Sequence, residues 1–108
     1  MMLLTKLISL ALLGASVVQA TEPSFGIAYS DLSLDSRFGR AELRQRVTAA
    51  IGGYCRRHGD RVTPQALRND RYYCPDMMRS ALMAEMPREV RHAYMQARRE
   101  AGVRGRRL

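Results

Sequence analysis

Residues 31–55 read DLSLDSRFGRAELRQRVTAAIGGYC. Leu43, Val47, Ala50, Ile51 and Tyr54 recur at i, i+4, i+7, i+8 and i+11. That is one apolar stripe at the period of a helix. Arg37, Arg40, Arg44, Gln45 and Thr48 take the other side. Glu42 precedes Arg46 by one helical turn, the favourable order for an ion pair. Asp35 or Ser36 supplies the N-cap oxygen. Gly39 falls on the apolar side, where a glycine costs about 1 kcal/mol against alanine unless a neighbour needs the space. Gly52-Gly53 weakens the far end, so the reading ends this helix before Cys55.

Upstream, Lys6 is followed by an uncharged apolar run, Leu7 to Val18, and by Val18-Gln19-Ala20. This is the pattern of an export signal over 1–20, with cleavage expected after Ala20. The run is shorter than the ~20 residues of a membrane span, so no transmembrane segment is expected after cleavage. The expected location is the periplasm or the secreted fraction. Residues 21–108 then form one small domain. Such a domain usually needs a staple, and an oxidising compartment permits one. The chain has two cysteines, Cys55 and Cys74, so a single intramolecular disulfide is available. Cys55-x-x-His58 with Cys74 leaves zinc as an alternative, its fourth ligand drawn from Asp60, Asp76 or His92. Without a C-x-x-C-H there is no haem attachment motif, and no cofactor is expected.

Residues 21–35 read as an extended arm. Phe25, Ile27 and Tyr29 alternate in one phase and Leu32 and Leu34 in the other, which places a bend near Ser30-Asp31. No other stretch reads as a strand, so the arm is expected to lie over the helices, the alternative being pairing with a second copy. Asp31, Ser33, Asp35 and Glu42 faintly echo a calcium loop, but Ser36 stands where that loop needs glycine.

Beyond Cys55, Arg56 to Asp60 reads as a polar loop and Thr63-Pro64 as the start of a short helix. Tyr72 and Tyr73 are placed over the cysteines. Pro75 opens another helix with the stripe Met78, Ala81, Leu82 and Met86, its methionines read as core filling. Pro87 breaks it. Val90, Ala93, Tyr94, Ala97 and Ala101 form a thinner third stripe, with Arg88, Glu89, Arg91, Arg98 and Arg99 outside. Gly102 ends it, and residues 102–108 read as a basic, solvated tail. The fold class is therefore mainly α: a disulfide-stapled helical domain over 36–101 with an extended N-terminal arm.

The order Tyr29, Asp31-Leu32, Leu34, Gly39, Leu43, Arg46, Ala50, Cys55 and then Cys74 resembles the UrcA family. The resemblance covers Ile27 to Met86. It implies a small exported bacterial protein with two cysteines and no established biochemical activity. The chain departs from that pattern at Gly52-Gly53 and in the arginine-rich stretch after Pro87.

The formal net charge is +8, and Lys6 is the only lysine. Every cation after the leader is arginine. Codon bias is one explanation. The other is chemical: arginine's planar fork suits phosphate and carboxylate. An exported cation meets anionic lipids, lipopolysaccharide phosphates or acidic polymers; no nucleic acid partner is expected. Arg98, Arg99, Arg104, Arg106 and Arg107 are the candidate anion-binding residues. No nucleophile, base and orienter come together in the pattern; His58 and His92 share no spacing that joins them. The function expected is non-catalytic binding of an anionic envelope component or an envelope protein. The alternative is a stress-protective periplasmic chaperone whose apolar helix faces open when conditions change.

Overall fold

The computed structural model describes residues 26–108. The expected export signal, its cleavage site and residues 21–25 lie outside the described residues. Helix α1 spans Arg37–Val62, α2 spans Tyr73–Glu85 and α3 spans Arg88–Glu100. A 3-10 turn, Gln65–Leu67, sits between α1 and α2. Both shorter helices pack mainly against α1. No strand occurs among the described residues.

The α1 stripe forms the centre. Leu43, Val47 and Ile51 are fully buried. Ser36 is the cap: its Oγ accepts from the Gly39 amide at 2.9 Å and donates to the Ser33 carbonyl at 3.1 Å. Gly39 is required by the close approach of the arm. A Cβ there would stand 1.8 Å from the Ser33 carbonyl oxygen.

The helix does not stop before Cys55. It runs through Gly52-Gly53 and the expected polar loop to Val62. Propagation adds one backbone bond per residue ordered, so two glycines weaken an established helix without ending it. Local contacts help: the Tyr54 and His58 rings stand 4.8 Å apart, one turn from each other, and Arg57 donates to the Gly53 carbonyl. Cys55 therefore lies inside α1. It bonds Cys74 near the start of α2, with a Cα–Cα distance of 5.9 Å. That bond consumes both sulfurs of the alternative zinc set.

Cys74, Met78 and Leu82 face the core from α2, Met86 from just beyond its end, and Val90, Ala93, Tyr94 and Ala97 from α3. Ala81 and Ala101, expected in these stripes, are exposed. Tyr94 is fully buried and fills the space that the alanines leave. Pro87 separates the two helices as expected, capping α3 from the extended region. Gly102, at φ 70°, closes α3: its amide bonds the Arg99 carbonyl and the Val103 amide bonds the Arg98 carbonyl. This is a Schellman stop, which needs the left-handed conformation that glycine supplies.

The arm lies over the helices. Ile27, Tyr29, Leu32 and Leu34 are half-buried against the core, and the intervening residues are exposed. The bend is closed by the Leu32 amide on the Tyr29 carbonyl at 3.0 Å. Arg46 ties it to α1 through the Ala28 carbonyl and both oxygens of Asp31.

Candidate functional site

Seventeen arginines against ten acids leave cations without partners, and the fold decides which. Arg46 holds Asp31 at 2.8 Å and Glu42 at 3.3 Å. Its hydrogen bond holds the Asp31 carboxyl at a pKa of about 2. Those acids belong to the faint calcium-loop pattern, and here they serve the arm. Arg40 and Arg37 converge on Glu100, at 2.6 and 3.2 Å, and join the start of α1 to the end of α3. The Arg40 bond lowers the Glu100 pKa.

The 102–108 segment is not a solvated tail. Arg106 bridges Asp76 of α2 and Asp70 before it, and its guanidinium lies 5.2 Å from the Tyr72 ring centroid. Arg71 lies 5.0 Å from the same ring. Leu108 packs against the core cluster. Arg98 donates to the Gly105 and Arg107 carbonyls at 2.7 Å each. The segment is basic in composition, and its Arg106 is paired by carboxylates thirty or more residues away in sequence.

The five candidate arginines thus separate. Arg98 and Arg106 are committed to folding the segment back. Arg99, Arg104 and Arg107 have no ion-paired carboxylate among the described residues. Arg99 also belongs to a group that the sequence reading left as plain exterior. Arg88, Arg91, His92, Met95 and Arg99 line one shallow depression on α3. Their spacing of i, i+3, i+4, i+7 and i+11 is helical, and the stripe lies opposite Val90, Ala93 and Ala97. All five residues are exposed, with Met95 at 41%. Neither Arg88 nor Arg91 has an ion-paired carboxylate among the described residues. The periodicity could have revealed this face, had the charged positions been read as a stripe of their own.

A smaller cleft of about 120 Å³ lies between α1 and α3, lined by Arg37, Ala41, Arg44, Ala97, Glu100 and Ala101. No group of three or more metal-ligating side chains occurs among the described residues. No helix among them is long and apolar enough to cross a membrane.

No protein-family model, no curated protein and no solved structure matches the chain.

Proposed function

We propose that this is a non-catalytic exported protein of the UrcA type that binds an anionic envelope surface through the outer face of α3. One observation carries the reading. Arg88, Arg91 and Arg99 stand together on a helix face without acid partners, around an exposed methionine. Unpaired guanidiniums suit phosphate and carboxylate, and a central apolar side chain suits the boundary of a lipid headgroup layer. Arg104 and Arg107 add exposed charge in the segment that follows. The disulfide supports an oxidising location.

The test is titration onto phosphatidylglycerol and phosphatidylcholine vesicles at low and moderate salt. The parent should prefer the anionic vesicles, and salt should weaken that preference, because exposed charges are screened over about 10 Å at 0.1 M. Changing Arg88, Arg91 and Arg99 together to Gln should remove most of it. Equal binding to both vesicles by the parent would reject the proposal.

A further inference from the structure

A second cationic group lies under the folded-back segment. Arg44 of α1 donates to the main-chain oxygen of Leu108, the last residue, through Nε at 3.3 Å and Nη2 at 3.0 Å. Arg79 of α2 donates to the Arg107 carbonyl at 3.1 Å. Arg98 of α3 donates to that same oxygen and to the Gly105 carbonyl, both at 2.7 Å. Three helices therefore bring three guanidiniums to one short run of chain.

Their acceptors are main-chain oxygens of Gly105, Arg107 and the last residue, Leu108. Among the described residues, the only side-chain carboxylate ion-paired with any of the three is Asp76, 3.3 Å from Arg79, and Asp76 is shared with Arg106. Three like charges held together with one shared side-chain carboxylate favour an oxyanion, and guanidinium forks match the oxygens of phosphate. A second observation comes from the core side. The fully buried Tyr94 has a hydroxyl with no acceptor for its proton among the described residues. The guanidiniums that act on it are Arg79, Arg98 and Arg44. Buried polar atoms are nearly always satisfied, so a buried donor without an acceptor, under the influence of three cations, suits an incoming acceptor oxygen.

The geometry points to Arg44, Arg79, Arg98 and the Tyr94 hydroxyl as a receptor for a small phosphate-type oxyanion, whose place the main-chain oxygens of Gly105, Arg107 and Leu108 take in the free protein. Binding requires that stretch to lift. The Arg106 pairs with Asp70 and Asp76 hold it down, so they set the resistance to opening. The receptor uses none of the outer-face residues Arg88, Arg91 and Arg99.

The experiment is an NMR titration of the full chain, disulfide intact, with inorganic phosphate against a chloride background. Saturable shifts should appear at the Tyr94 ring and at the amides of 105–108. Arg44→Gln or Arg98→Gln should weaken binding about tenfold or more, the usual effect of losing a charge-assisted hydrogen bond. Tyr94→Phe removes only the hydroxyl, so it should keep the fold and still weaken binding. Arg106→Gln should strengthen binding by releasing the segment. Arg61→Gln, an exposed change in the last turn of α1, should change nothing. A parallel arm asks whether phosphate displaces the protein from phosphatidylglycerol vesicles: displacement that Arg44→Gln abolishes assigns the site to headgroup phosphate, and persistence on vesicles alongside the NMR shifts assigns it to the free ion. The absence of saturable shifts, or equal phosphate binding by the parent and Tyr94→Phe, would overturn the receptor.

Discussion

The Arg40 guanidinium meets the Glu100 carboxylate at 2.6 Å, tying the first turn of α1 to the last turn of α3. The Arg40 side chain is 12% exposed and that of Glu100 19%, whereas Arg37, the second partner of Glu100, is 75% exposed. Exposed ion pairs contribute little, because water screens them and ordering long side chains opposes them. Arg40→Ala should therefore lower the thermal midpoint clearly more than Arg37→Ala. Calorimetry of the two variants makes the comparison, and equal midpoints would mean that this clamp does not hold the ends together.

Acid should loosen the molecule through its paired carboxylates. Arg46 holds Asp31 at about 2 against an ordinary 3.8. Glu100 is lowered from an ordinary 4.5, first by Arg40. Asp70 is lowered first by the Tyr72 amide and then by Arg106. Each folded pKa lies below its unfolded value, so between the two the unfolded chain binds more protons and stability rises with pH. The contribution is complete above the ordinary carboxylate range and is lost as pH falls towards about 2. Urea midpoints measured from neutral pH downward should follow that decline. Asp31→Asn should flatten its lower end.

Two glycines of α1 should respond in opposite directions. Gly39→Ala drives a Cβ into the Ser33 backbone, and overpacking of this kind costs about 1–3 kcal/mol. Gly59 has open space around its missing Cβ. Gly59→Ala should stabilise by about 0.4–1 kcal/mol, because alanine has less unfolded-state entropy to lose. Denaturant unfolding of both variants checks the signs.

The central stripe was legible because Leu43, Val47 and Ile51 repeat at a period that only a helix satisfies. Ser36 and Gly102 were legible because caps and stops have local chemistry. The course of α1 beyond Gly52-Gly53 was not, since Arg56 to Asp60 carries no apolar period and the helix persists there by backbone continuity and the cross-link to α2. The fate of the arginines was legible only in part. The composition announced an excess of cations, but pairing is a tertiary property: Arg106 finds Asp70 and Asp76, and Arg40 finds Glu100, across long stretches of sequence. Without those partners in view, 102–108 reads as a free tail and the outer face of α3 reads as ordinary exterior.

The disulfide fastens the second half of α1, where few buried side chains hold it. Cys55 and Cys74 are separated by 19 positions, and closing a loop of that size is worth about 3 kcal/mol in the chain-entropy model. Cys55→Ser should lower the denaturant midpoint accordingly. Amide exchange should accelerate most in 53–62, while the amides around Leu43 and Val47 stay protected.

Met95 offers the most direct view of the proposed anionic contact, because it lies at the centre of the α3 face between Arg91 and Arg99 and is 41% exposed. Met78 and Met86 are buried and serve as internal references. Peroxide oxidation of the folded protein, read by peptide mass spectrometry, is compared without vesicles, with phosphatidylcholine vesicles and with phosphatidylglycerol vesicles. The expected result is that phosphatidylglycerol alone slows oxidation of Met95, that added salt restores it, and that the triple change of Arg88, Arg91 and Arg99 to Gln abolishes the protection. Oxidation of Met95 at the same rate in all three conditions, with the protein bound to the anionic vesicles, would contradict the assignment of this face.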